Sequence, residues 1–251
     1  MNMPLIKPGD DLVSMILKAS EQVGGLRDGD IVVVASSALA TAQGRLIELA
    51  RVRPSQRAKL LARRSGLEPE FVELVLREAN EVLGVAKYAL LTLKEGMLCV
   101  NAGVDHSNAP PGQVVLMPSK PNRAAEEIMR ELRQRSGARV GVIIADSQVQ
   151  PLRLGTIGKA IGVAGMEPVI DCRGQLDLFG RRLRITFRAI ADQIASAAQV
   201  VMGEGAERVP VVVVRDAGVE IVDKPKSSPK ISPKRCVYAR CLRLSRAKKK
   251  K

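Results

Sequence analysis

Three short runs, "DIVVVAS" from Asp30, "VGVIIAD" from Val140 and "VPVVVVR" from Val209, constrain the fold of this chain more than any other feature. Each is a nearly unbroken series of apolar, mostly β-branched residues without polar alternation. That is the pattern of a strand covered on both faces. Strands of this kind need helices to cover them, and the intervening segments supply them. Asp10 or Asp11 caps a helix to about Val23, with Leu12, Met15, Ile16, Ala19 and Val23 at helical spacing and Gly24 and Gly25 as its stop. "SQRAKLLARR" reads as a second helix, and Pro69 through Leu83 as a third, opened by a proline that costs no hydrogen bond in a first turn. "RAAEEIMRELRQRSG" is amphipathic and ends at Gly137, and "AIADQIASAAQVVMG" forms a helix before the last strand. The first strand is expected to stop at Ser36 and Ser37, and Asp146 to sit at the carboxyl end of the second. "YALLTL" and "MLCV" flank "KEG" as a hairpin, and "DCRGQLDLFGRRLRITF" leads into a further strand. Interleaved helices, strands and hairpins predict a mixed α and β (α+β) fold around a buried mixed sheet.

Composition sets the limits. At 251 residues and 46% apolar, the chain can bury a sizeable core. It has no uncharged apolar run of about eighteen residues, and "MNMPLIKPGDD" lacks the apolar middle of a secretory signal, so no membrane association and a cytoplasmic location are expected. Four cysteines, Cys99, Cys172, Cys236 and Cys241, form no CxxC pair and read as reduced thiols. The net charge of +14 is localised: from Lys224 onward the chain carries twelve Lys and Arg and no acid, which leaves the rest near about +2. This gives a division into 1–223, the folded region, and 224–251, a basic tail rich in Pro, Ser and Lys that is expected to be disordered at least to Pro233. "CVYARCLRL" is expected to form a short helical turn. The tail reads as a solubilising extension, with tethering to nucleic acid or an acidic surface as the alternative. Two Tyr and three Phe in the whole chain argue against a base-stacking platform.

The chemistry concentrates in "NAGVDHSN", Asn101 to Asn108, which packs an Asp, the only His, a Ser and two Asn around one Gly. Asp105 and Asn108 there, with Asp146 and Ser147 at the strand end, offer the hard oxygen ligands that Mg²⁺ or Mn²⁺ takes beside phosphates. Asx residues beside Gly are also common turn formers, so the local pattern alone leaves a plain turn and a metal loop both open. His106 has no partner His and no G-x-S-x-G elbow to serve, and reads as a loop residue. "GTIGKAIG" matches neither a Walker loop nor a dinucleotide fingerprint; close packing and turns explain it, with Lys159 and backbone amides as the alternative anion contact.

The order and spacing of longer blocks are more specific. "PLIKPGDD", "GDIVVVASSALATAQGR", "NAGVDHSN", "GVIIADS", "AIGVAGMEPVIDCRGQLDLFGRRLRIT", "ADQIASAAQVVMGEG" and "VPVVVVR" resemble the coenzyme F-420 gamma-glutamyl ligase family over residues 4 to about 215. The resemblance implies a two-part monomer in an intertwined homodimer. It implies a GTP-dependent ligase using Mg or Mn, with a monovalent cation as a further candidate, that adds L-glutamate through gamma linkages to a deazaflavin precursor by way of an acyl phosphate. By the same resemblance Asp105 and Asp146 hold one metal and are the catalytic pair, and Ser147, where the family pattern has Thr, supports a second metal. Pro4, Leu5, Ile6, Lys7, Ser36, Ser37, Asn108 and Glu204 match nucleotide-contacting segments, with Thr41 at a further nucleotide position.

Two departures from the family pattern remove positive charge. Thr41 stands where the family carries a phosphate-contacting Lys, and Val149 and Gln150 stand where it carries Gly-Arg, while Arg153 remains. Loss of a phosphate-neutralising cation costs on the order of a hundredfold in rate unless another replaces it. Lys159 and Arg173 are the candidates. The departures keep two alternatives open: a ligase acting on another carboxylate acceptor, and a catalytically silent scaffold whose basic tail binds nucleic acid.

Overall fold

A computed structural model describes residues 1–241. The chain forms two compact units, Met1–Gly44 with Pro118–Pro229, and Arg45–Met117 with the chain from Lys230. In the first, α1 (Leu12–Ser20) is capped by Asp11, whose Oδ1 accepts the Ser14 N–H at 2.9 Å. A 3₁₀ turn, Glu21–Val23, carries it to Gly24 as expected. β1 (Ile31–Ala35) follows, and then α2 (Ser36–Ala42), a helix the sequence reading did not anticipate. Its first residues are the two serines read as the end of the strand.

The second unit begins with β2 (Leu46–Glu48), α3 (Gln56–Ser65) and α4 (Pro69–Glu78). α4 ends five residues before the expected Leu83, because Glu81–Ala86 forms β3, paired antiparallel with β4 (Ala89–Lys94). β4 pairs in turn with β5 (Met97–Val100), the expected hairpin. β6 (Gln113–Val115) pairs with β2. Val72, Val75, Leu90, Val114 and the ring of Phe71 are at the centre of this unit's core.

Back in the first unit come α5 (Pro121–Ser136), β7 (Gly141–Val149), β8 (Thr156–Ala164), β9 (Ile170–Asp171), β10 (Phe187–Arg188), α6 (Ile190–Met202) and β11 (Val211–Val214). The four-stranded sheet has the order β11-β1-β7-β8, with β1 parallel to β7 and the outer pairs antiparallel, so the expected mixed sheet is present. Ile31, Val33, Ile143 and Val163 pack on α6, while α5 covers the opposite face of the sheet with α1 beside it. This double cover is why β1 and β7 are apolar without alternation. Asp30, fully buried at the start of β1, accepts hydrogen bonds from Arg215 Nε at 2.9 Å and Nη2 at 2.8 Å.

"GTIGKAIGVAG" is the strand β8, and its glycines serve close approach. A Cβ at Gly158 would fall 2.4 Å from the Ala195 carbonyl oxygen on α6, and one at Gly162 would fall 2.4 Å from that of Pro121 on α5. Two glycines four apart on a regular strand share a face. Here a bulge between the Gly162 and Ala160 pairings turns the second to the other side.

The four cysteines carry free thiols, as expected. Among the described residues no helix is long and apolar enough to cross a membrane. At the start of the basic segment, Glu167 accepts the Lys226 and Ser227 amides at 2.7 and 3.0 Å. Burial works to raise the Glu167 carboxyl, but these amides and the Ser227 hydroxyl outweigh it and hold it below its ordinary value. α7 (Val237–Cys241) supplies the expected helical turn; Arg243, Arg246 and the terminal lysines of the tail lie outside the described residues.

Candidate functional site

The parallel register Ala35↔Ala145 brings the residue after β1 beside the residue after Ala145. Ser36, at the head of α2, donates its hydroxyl to Asp146 Oδ1 at 2.6 Å, and Gln148 Nε2 donates to Oδ2 at 3.0 Å. Asp146 lies inside β7, three residues before its end, and is half-buried. Each carboxylate oxygen thus accepts a hydrogen bond from a neutral donor, which orients it. That donor set fits a hard divalent cation held by one or two carboxylates, with phosphate oxygens and water completing its shell. Lys159 is the cross-strand partner of Asp146, and directly opposed residues share a face. Arg173, the other candidate cation, is committed elsewhere: its guanidinium hydrogen-bonds Asp171, pulling that carboxyl down to about 2, and stacks over Phe187.

Successive residues of a strand serve opposite faces, so Ser147 turns away from Asp146. Its hydroxyl donates to Glu204 Oε1 at 2.7 Å, and Thr156 donates to the same oxygen at 2.8 Å. Gln199 Nε2 hydrogen-bonds both Ser147, at 3.0 Å, and Glu204. Ser147 and Glu204, far apart in sequence, thus meet at the end of α6. Thr156 and Gln199 join them unanticipated; the one sequence signal was a polar residue, Gln199, among the small and apolar residues Ala197 to Met202 that end α6.

The N-terminal segment threads the same unit. The Met3 amide donates to the Arg208 carbonyl at 3.1 Å and the Gly9 amide to the Ala42 carbonyl at 2.9 Å. Pro4, Leu5, Ile6 and Lys7 therefore run from the segment after Glu204 to the end of α2, which carries Ser36, Ser37 and Thr41. Leu5 is 80% exposed and Pro4 and Lys7 are exposed, whereas Ile6, Ser37 and Thr41 are half-buried.

Asp105 and Asn108 belong to the second unit. The loop after β5 passes through three successive left-handed residues, Asn101 (φ 53°), Ala102 (φ 52°) and Gly103 (φ 70°). Asp105 then pairs with Val115 through both backbone groups, at 3.0 and 2.8 Å. Its Oδ1 accepts the Ser107 amide and hydroxyl, each at 3.1 Å. Asn108 is left-handed and exposed. His106 stacks on Phe71 with centroids 4.8 Å apart, the packing role of a loop residue. Among the described residues no group of three or more His, Cys, Asp and Glu gathers as an all-protein metal cage.

The profile of the family described as F420-0:Gamma-glutamyl ligase matches residues 1–216. The chain belongs to that family. It is 44% identical over 217 residues to the coenzyme F420:L-glutamate ligase of Methanopyrus kandleri, covering 86% of this chain and 84% of that protein. The protein of the same name from Archaeoglobus fulgidus is 43% identical, with 86% of each chain covered. That from Methanothermobacter thermautotrophicus is 39% identical over 235 residues, or 89% of this chain and 93% of the other. The family match takes in every candidate residue above, in both units, and ends before the basic tail.

Proposed function

We propose that this chain is a GTP-dependent ligase that adds L-glutamate, through a gamma-linked amide, to the deazaflavin precursor of coenzyme F-420 in the cytoplasm. The family membership over residues 1–216 carries this reading, and the oriented carboxylate of Asp146 is the local chemistry that supports it. The γ-phosphoryl group of GTP passes to the acceptor carboxylate, releasing GDP and leaving an acyl phosphate. The glutamate amine attacks the acyl carbon, the carbon–oxygen bond to phosphate breaks, and phosphate and a proton leave as the amide forms. Asp146 and Asp105 are read as ligands of Mg²⁺ or Mn²⁺, with Ser147 and Glu204 serving a second ion; the metal supplies neutralisation of phosphate charge.

The remaining roles follow from the chain itself. Ser36 and Gln148 hold the Asp146 carboxylate, while Pro4 to Lys7, Ser37, Thr41 and Asn108 contact the nucleotide. Lys159, opposite Asp146, supplies the cation that Thr41 does not. The active species is a homodimer. Leu152, Leu154, Leu178, Phe179 and Ile185, each more than 85% exposed in the first unit, are the apolar surface a second copy would cover. The test is GDP release from full-length protein. It should require the deazaflavin precursor, L-glutamate and divalent metal together, and fall at least about a hundredfold in folded Asp146→Asn. Wild-type turnover in folded Asp105→Asn and Asp146→Asn would remove the metal assignment.

A further inference from the structure

The inward face of β4 is not apolar, and what it grips explains why. Its buried positions are Leu90, Thr92 and Lys94, alternating with half-buried Ala89, Leu91 and Leu93. Thr92 is 0% and Lys94 7% exposed. A buried hydroxyl or ammonium costs free energy unless it finds partners, and here the partners converge on one turn. Thr92 Oγ1 accepts the Ala102 amide at 2.9 Å and donates to the Cys99 carbonyl at 2.8 Å. Lys94 Nζ, paired with Glu78 at 2.5 Å, reaches the Ala102 carbonyl at 3.4 Å. The Leu90 amide donates to Asn101 Oδ1 at 2.8 Å. Three successive inward positions thus hold Asn101 and Ala102, the two left-handed non-glycine residues at the root of the Asp105 loop. Alanine in that conformation persists only where its surroundings over-determine it, and such strain concentrates at functional sites.

We propose that Thr92 is a positioning residue for Asp105: its hydroxyl locks the left-handed turn at Ala102, which fixes where the Asp105 carboxylate is presented to a divalent metal. The proposal rests on the reading of Asp105 as a metal ligand. A valine of nearly the same shape would fill the space without making either hydrogen bond, so packing alone does not require threonine here. A polar group that is fully satisfied specifies one loop conformation, as an apolar one does not.

The test is Mn²⁺ binding, followed by electron paramagnetic resonance on the full-length chain, with circular dichroism melts as the fold control. Thr92→Val should weaken Mn²⁺ binding about tenfold, the usual effect of removing a group that orients a ligand, and Thr92→Ser should bring it back to within about twofold of wild type. Wild-type affinity in folded Thr92→Val, beside lost binding in Asp105→Asn, would overturn the positioning role, even if the melting temperature fell. Wild-type affinity in Asp105→Asn would overturn the ligand reading itself, and the role of Thr92 with it. Should the valine variant not fold, Asn101→Ala removes a second clamp from the same turn. Weakened Mn²⁺ binding there supports the proposal, and unchanged binding overturns it.

Discussion

Lys159, half-buried on β8, and Arg173, exposed in the turn after β9, are both cations, yet their neighbours give them different work. Lys159 stands across the strand pair from Asp146, whereas Arg173 is tied to Asp171. Lys159→Met should lower GTP turnover at least about tenfold while Arg173→Ala stays within about twofold, and steady-state GDP release distinguishes them. Asp30 shows a different use of charge. Burial pushes its carboxyl up, but the Arg215 guanidinium and the Arg27 amide outweigh burial and leave it below its ordinary value. A carboxyl depressed in the folded state stabilises above its unfolded pKa of about 3.9, and that contribution is lost as pH falls through the lower folded value. Asp30→Ala should therefore cost about 2 to 3 kcal/mol at neutral pH, and the gap from wild type should close below about pH 4 in pH-dependent melts.

At the scale of elements, β8 is held by the absence of side chains. Gly158 and Gly162 let α6 and α5 rest on its backbone from opposite sides. Gly162→Ala should cost about 2 to 3 kcal/mol by overpacking, read as a lower urea midpoint, because backbone on both sides cannot yield easily. That strand also shows what sequence can and cannot reveal. "DIVVVAS", "VGVIIAD" and "VPVVVVR" were legible because burial on both faces leaves no choice but apolar residues. "GTIGKAIG" was legible as glycines for close packing but not as a strand, because the partners that decide it, Ala195 and Pro121, are distant in sequence. α2 was missed because two serines after a strand read as its end, although they open the next helix. The helix expected through Leu83 stopped early because Val82, Leu83 and Val85 suit either state, and pairing with β4 decides between them. Among the candidate residues, Asp105 and Asp146 stood out as acids beside apolar runs. Gln148, Thr156 and Gln199 did not, since a polar residue's role as an orienting partner exists only after folding.

For the molecule as a whole, the chain leaves the first unit at Gly44, returns at Pro118 and leaves it again after Pro229, so both units are built from separate stretches of sequence. Nothing in local pattern marks such a boundary; it is made by contacts distant in sequence, such as the pairing of β1 with β7 and β11. The exposed apolar side chains between β9 and β10 give the proposed dimer its own test. Phe179→Asp should convert the protein to monomer in sedimentation equilibrium, and an unchanged mass would place the dimer contact elsewhere. The central claim is the ligation itself. Its most direct measurement is mass spectrometry of the deazaflavin precursor after incubation with purified protein, L-glutamate, GTP and Mg²⁺ or Mn²⁺. The expected result is a mass increase by one or more glutamyl units that appears only when GTP is present. An unchanged precursor in the presence of all components, from folded protein that binds GTP and metal, would contradict it.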